Sequence, residues 1–395
     1  MNTIFVFAYY SYKDPVFQSA VLPYLKLVKN KDLRFVLLTW EQKEHRLPKN
    51  EAQEIKKALL RENIIWKQTN WHSGRLKFLK KLFDFIKGLI LSIYLILKFK
   101  ARKIYSEGFP GSVIGHFLSL ITKRKHIVHT FEPHADYMKD AGVWLENSWE
   151  YKLLKKLEVP IAKRCEHIIT GTTAYKKKLL DMGVLSSIWV IPSCIDFNHF
   201  KFKQEARRRI RKELRIKQNQ IVVVYMGKMG GMYMEEEIFQ FFRHLLTIDS
   251  EIFQFILLTN AKKEVVIKHC VNFNIPSRLV KQFYVSKEMV PEFLSASDIG
   301  FCGVRPIPSQ KYSSPIKNGE YWACGLPVVI PTGIASDDQS FLSSGMGISF
   351  TDFRNLDKNT ICSLIIHDRT NIRQKAFEIR DISNYKNRYE EIFLN

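Results

Sequence analysis

Short apolar runs alternate with stretches of helical spacing along most of this chain. Residues 4–8 are a compact apolar run, and 35–39, 127–130, 167–170 and 188–192 are short strand-like stretches. Such runs fit strands of a parallel sheet, which is covered on both sides. Between them, residues 16–28, 144–165 and 173–182 carry apolar positions at helical spacing, and Gly183 closes the last of these. Residues 104–115 read as a strand, a Gly/Pro-rich turn and a helix start. The alternation returns after residue 220, with runs at 221–225, 253–259, 283–285, 299–302 and 326–330. Residues 377–393 read as a closing helix. Repeated strand, loop, helix and strand predicts an α/β chain of doubly wound sheets, with ligands beyond the carboxyl ends of the strands. The loop at 9–15 and His134, in the exit loop FEPHADY, fall at such ends. A lone histidine is more often structural than catalytic, and position alone does not decide between the two.

Residues 75–103 stand apart. Leu79, Leu82, Phe83, Ile86, Leu89, Ile90, Ile93, Tyr94 and Leu97 share helical spacing, and Leu91 and Leu95 are expected to widen that surface. Lys80, Lys81, Asp84 and Lys87 lie off it. The segment holds nine Lys/Arg against one Asp. It predicts an interfacial helix, or helix pair, on an anionic bilayer, with a core helix bearing a basic solvent face as the competing reading. No run reaches the roughly 20 apolar residues that span a membrane.

Length adds that 395 residues exceed what one core serves, so two domains are expected. A net charge of +22 asks for an anionic partner. Six scattered cysteines without a CxxC pair argue against a zinc or disulfide framework and fit a reducing compartment. The first residues lack a basic leader region and read as a strand. Residues 193–220 read as a linker, and its basic stretch lacks the interleaved aromatics of single-strand nucleic-acid binders.

The richest stretch is SSPIKNGEYWACGLPVVIPTGIASDD, residues 313–338. Ser314 reads as an N-cap, Pro315 as the first helical residue and Gly325 as the left-handed stop. Lys317 and Glu320 are three apart and share a helix face near its positive end. They can hold a phosphate and a sugar diol, although a solvated Lys–Glu pair on an ordinary capped helix explains the same residues. Earlier, MGKMGGMY places Gly227, Gly230 and Gly231 after a strand, so backbone amides can approach a phosphate. It is neither GxGxxG nor a P-loop. No DxD, GxSxG or HExxH motif occurs. The combination predicts a cleft enzyme for a phosphorylated ligand.

The stretch SPIKNGEYWACGLPVV resembles the donor-site signature of GT-B fold glycosyltransferases of family 4. YMGKMGGMY resembles their glycine turn, VIPSCIDFNHF their domain junction, and HTFEPH their histidine-bearing loop. The resemblance implies two Rossmann-like, doubly wound domains facing a cleft. Residues 1–198 would bind the acceptor and 199–374 the nucleotide-sugar, with 375–395 a helix crossing back to the first domain. It also implies that Glu320 binds the ribose hydroxyls, Lys228 meets the diphosphate, Lys317 lies near phosphate or sugar, and His134 touches the transferred sugar. Gly227, Gly230, Gly231, Thr259 and Ser314 complete the expected donor-binding set. The family's paired glutamates are eight apart, and here the earlier position is Tyr312, which leaves Ser314 and Lys317 to take that role. The implied activity is a retaining, metal-independent transfer from a nucleotide-diphosphate sugar, without cofactor. The acceptor would be a glycan or polyprenyl-linked, in bacterial envelope synthesis at the cytoplasmic face of the plasma membrane. A GT-B fold epimerase and a basic nucleic-acid-binding protein are the rival readings.

Overall fold

The computed structural model describes residues 1–28, 32–71 and 78–395, and of residues 78–82 the helical backbone alone. The start of the basic apolar segment, residues 75–77, and the side chains of Leu79, Lys80, Lys81 and Leu82 therefore lie outside the described residues. Two compact units divide the chain. Residues 1–136, 144–191 and 382–395 form the first, and residues 137–143 and 192–381 the second.

In the first unit β1 (Asn2–Ala8), β2 (Leu33–Gln42), β3 (Ile64–Trp71), β4 (Lys103–Glu107), β5 (Lys125–Thr130), β6 (His167–Thr170) and β7 (Ser187–Val190) form one sheet. Its order is β3-β2-β1-β4-β5-β6-β7, and its paired strands are parallel. Val6 lies opposite Leu37 on one side and Tyr105 on the other, so the buried run of β1 is central. The intervening helices are α1 (Pro15–Ala20), α2 (Leu22–Leu27), α3 (Lys49–Leu60), α4 (Phe78–Lys98), α5 (Gly108–Thr122), α6 (His134–Asp140), α7 (Trp149–Arg164) and α8 (Thr173–Asp181). Asp14 caps α1 by accepting from the Val16 amide at 2.8 Å, while Ser148 and Thr172 cap α7 and α8. After β1 the chain leaves toward β2, and after β4 it leaves toward β5. The loops part there and open a crevice at the carboxyl ends.

The second unit repeats the plan. Its strands are β8 (Ile221–Met226), β9 (Phe253–Leu258), β10 (Val280–Phe283), β11 (Ile299–Phe301), β12 (Val328–Pro331) and β13 (Gly347–Phe350), in the order β10-β9-β8-β11-β12-β13. Here the order reverses between β8 and β11. The helices are α9 (Gln204–Glu213), α10 (Glu236–Ile248), α11 (Lys263–Asn272), α12 (Val290–Ala296), α13 (Ile316–Ala323), α14 (Ser336–Phe341), α15 (Lys358–Leu364) and α16 (Arg369–Arg380). The chain then returns to the first unit as α17 (Lys386–Leu394). Tyr389 stacks on Tyr24 at 5.0 Å, Phe393 meets Phe35 and Tyr105 edge-on, and Lys103 donates to the Ile392 carbonyl at 3.2 Å.

Three expectations change. Residues 193–220 are no linker: Ile195, Phe197, Phe200 and Ile210 sit in the second unit's core, and Arg211 is buried against Asp298 at 3.1 Å. The closing helix is two helices, because the chain leaves the second unit at Asp381, whose backbone pairs with Ile195. The third concerns α4. Leu95 and Ile96 join Phe5, Phe7, Val36, Leu38 and Trp40 in the core, with Leu91 half-buried against them. Leu95 is 1% exposed, so Leu91 and Leu95 face the sheet rather than widening an outer surface. A Cβ on Gly88 would stand 2.3 Å from Trp40, which shows how closely α4 lies on the sheet. Phe83, Ile86, Ile90, Tyr94 and Leu97, on the other side, are exposed.

Candidate functional site

The second unit's crevice is built from strand ends inward. β8 stops at Gly227, whose φ of +144° suits glycine. Its amide donates to the Leu258 carbonyl at 2.9 Å, tying the turn to β9. A Cβ at Gly227 would lie 2.6 Å from Lys317 Cε and 3.1 Å from Lys317 Nζ. The missing side chain thus makes the seat for the Lys317 ammonium. Gly230 and Gly231 follow with φ of +81° and +64°, and the loop is pinned to the exit of β11 where the Met234 amide donates to the Gly303 carbonyl at 2.8 Å. Tyr233 in that loop puts its ring 4.8 Å beneath Lys317 Nζ, a cation–π contact.

Beneath the turn, Tyr225 donates its hydroxyl to the Lys228 carbonyl, and a Cβ on Gly303 would fall 2.4 Å from the Tyr225 ring. Burial pushes the Tyr225 hydroxyl far above its ordinary value. The Tyr321 hydroxyl accepts from the Met226 amide at 2.9 Å, joining α13 to the end of β8.

Lys317 and Glu320 both lie on α13. The helix starts one residue later than expected. Pro315 is its N-cap, no side chain caps it, and Gly325 ends it at φ +73°. An uncapped start leaves the positive helix end to an outside anion. Ser314 fails as N-cap because its hydroxyl is taken, accepting from the Ser193 amide at 3.1 Å and from Arg380 at 2.6 Å. Arg380 is itself buried and paired with Asp338. Glu320 is partly exposed, yet it is surrounded densely enough that burial pushes its carboxyl up to about 7, against the pull of Lys317 and Lys287. Among the described residues its carboxylate has no hydrogen-bond partner.

The structure therefore brings Gly227, Lys317 and Glu320 together. Lys228 is exposed in the glycine loop, joined to it through its backbone. Thr259 is 3% exposed, and its hydroxyl accepts from the Ala261 amide at 3.2 Å, so it shapes the turn after β9. Tyr312 lies in a short 3-10 turn with Lys311 Nζ 5.0 Å over its ring. Two residues escaped sequence reading, Tyr233 and Lys287. Both stand in loops leaving carboxyl strand ends, and that position was the available signal.

His134 belongs to the first unit. It is the first residue of α6 rather than part of an exit loop, with Nδ1 3.3 Å from Glu132 Oε1. Its ring lies parallel to Phe109 at 6.1 Å and edge-on to Trp144 at 5.8 Å. It lines a pocket of about 160 Å³ with Tyr9, Tyr10, Glu107, Phe131 and Glu132, at the ends of β1, β4 and β5. Glu107 Oε2 accepts from Tyr105 at 2.6 Å and lies 3.1 Å from His129, while Oε1 is buried without a partner among the described residues. Burial, with Glu107, Glu132 and Asp14 nearby, drives the Tyr10 hydroxyl far above its ordinary value. The loop at 9–15 was legible as a pocket loop. Glu107, the last residue of β4, was not.

No protein-family model matches the chain, and no curated protein matches it in sequence. Solved structures do. HepE from Anabaena, in complex with UDP-glucose, superposes with a TM-score of 0.69 at 15% identity over 100% of both chains. Sucrose-phosphate synthase from Thermosynechococcus elongatus gives 0.75 at 12% identity, over 100% of this chain and 98% of that one. The lipopolysaccharide outer core galactosyltransferase WaaB gives 0.63 at 10% identity, over 100% and 99%. The fold is thus GT-B, the one expected from the glycine turn and the Lys/Glu helix.

Proposed function

We propose that the chain is a glycosyltransferase that takes its sugar from a nucleotide-diphosphate donor. One observation carries the reading. Lys317 is seated against Gly227 where the strand order reverses, with Glu320 one turn along the same uncapped helix. The ammonium and the helix end suit a diphosphate, and a carboxylate without a partner among the described residues suits a ribose diol. Solved neighbours of the fold bound to UDP and UDP-glucose support a uridine donor. The sugar's bond to the diphosphate breaks, its bond to the acceptor oxygen forms, and the acceptor proton passes to the leaving phosphate. Lys317 and Lys228 offset the charge that develops on the leaving group, and His134 donates a hydrogen bond to the transferred sugar. The transfer retains anomeric configuration and uses no metal. The acceptor is a glycan or polyprenyl-linked, in envelope glycan synthesis, met by a protein peripheral to the cytoplasmic face of the membrane.

The test is a thermal-shift and titration series with UDP-, GDP- and ADP-sugars, since a ligand of the folded state raises apparent stability. Glu320→Gln is expected to weaken the preferred nucleotide by about 1.5–3 kcal/mol with the fold intact. Unchanged affinity sinks the assignment. Nucleotide release that requires acceptor separates a transferase from an epimerase. The product's anomeric configuration by NMR, and activity in EDTA, check the retaining and metal-free parts. His134→Ala should keep nucleotide affinity and lose roughly 10²–10³ in kcat.

A further inference from the structure

Helices α4 and α5 pack side by side on one face of the first sheet. The outer stripe of α4 is apolar from Phe83 to Leu97, with Ile90 62% exposed. α5 continues it with Phe117, Leu120 and Ile121, all exposed and at helical spacing. None of the fifteen residues of α5 is Asp, Glu, Lys or Arg, although one side of it faces solvent. A monomer rarely leaves an apolar strip two helices wide uncovered.

Charge lies beside this strip. From Phe85 to Phe131 the chain has eight Lys/Arg, of which Lys103 is buried, and a single acid, Glu107, which is buried as well. Both helices run antiparallel to the strands they join, so both end at the amino edge of the sheet. Lys98, Lys100 and Arg102 stand at the end of α4, and Lys123, Arg124 and Lys125 at the end of α5, all on that edge. Glu166, an acid at this edge, is already held by Lys103 and Lys125, and Glu391 lies nearby. Both helices also close on a left-handed lysine, Lys100 at φ +51° and Lys123 at φ +55°, where glycine is the usual residue. A helix C-terminus favours a cation, but the left-handed site itself does not favour a side chain.

We propose that α4, α5 and the basic edge at their ends form one docking face for an anionic lipid bilayer. This deepens the membrane part of the proposed function and rests on that reading only for what the bilayer presents. The apolar strip enters the acyl boundary, and the lysines reach anionic headgroups. Charge favours an anionic bilayer over a second copy of the chain, whose matching face carries the same excess of cations.

The experiment is co-sedimentation of the full chain with phosphatidylglycerol-containing and pure phosphatidylcholine vesicles. Binding should require the anionic lipid and fall with salt. Two pairs of exposed substitutions, Ile90→Ser with Leu97→Ser on α4 and Leu120→Ser with Ile121→Ser on α5, should each weaken it about tenfold or more. Lys100→Gly with Lys123→Gly should weaken binding while leaving Tm unchanged or higher, because glycine takes the left-handed region without strain. No binding by the native chain, binding indifferent to lipid charge, or loss from the α4 pair but not the α5 pair overturns the proposal. So does a dimer in solution that the serine pairs dissolve in a chain that binds no vesicles. Nucleotide affinity of the same variants is read in parallel. Its absence in the native protein would reject the transferase and leave the docking face standing.

Discussion

At the scale of single residues, Glu320 links stability to ligand binding. Its carboxyl is raised from 4.5 to about 7, chiefly by burial. Between those values the folded chain keeps a proton that the unfolded chain has lost. Stability of the ligand-free protein should therefore fall as pH rises through this window and level off above it. Glu320→Gln should flatten that slope in denaturation curves at a series of pH values. Nucleotide affinity should run the opposite way, rising through pH 7 as the carboxylate becomes an acceptor for hydroxyl donors, and this rise should vanish in the glutamine variant. Gly227→Ala makes a separate prediction. The new methyl strains a backbone at φ +144° and meets Lys317 Cε at 2.6 Å. Destabilisation of about 1–2 kcal/mol and weaker nucleotide binding are expected together. The Lys–Glu spacing and the glycines were legible because they are local patterns. That Lys317 rather than Lys228 meets Gly227 was not, since it depends on how α13 lies beside β8.

Among the elements, α4 separates what periodicity says from what packing decides. Its apolar positions cover more than one face, and periodicity alone does not tell which face the sheet takes. The structure assigns Leu95 and Ile96 to the core and leaves Ile90 and Leu97 outside. Leu95→Ala should cost about 2–5 kcal/mol in a denaturant titration, the range for a truncated core leucine. Ile90→Ser should stay within about 0.5 kcal/mol, as surface changes usually do. Equal losses would mean that the helix is rotated from the position described. Pro315 and Ser314 teach the same lesson one residue at a time. A serine before a proline reads as an N-cap until Arg380, distant in sequence, claims its hydroxyl.

For the whole molecule, the chain's end completes the unit that its beginning starts. Tyr389, Ile392 and Phe393 are buried there, and the Ile392 carbonyl receives the buried Lys103 ammonium. Removing residues 382–395 should expose Tyr24, Phe35 and Tyr105 and take from the Lys103 ammonium its carbonyl partner, leaving it paired with Glu166, a loss of several kcal/mol to the first unit. Hydrogen exchange should show protection falling in β1, β2 and β4 while β8 and β9 keep theirs. Uniform loss across both sheets would show that the two units do not hold their strands independently.

The amino-acid sequence by itself determined two doubly wound sheets, the glycine turn after β8, the Lys317–Glu320 helix and a strip of apolar residues with many cations. Each of these is written in residues a few positions apart, through φ preference, side-chain period or charge. Tertiary structure alone decided that residues 193–220 join a core, that Ser314 answers to Arg380, that Glu107 keeps an oxygen without a partner among the described residues, and which side of α4 meets water. Those outcomes rest on contacts between segments far apart in the chain, where burial and hydrogen-bond satisfaction are settled only once the sheets have formed.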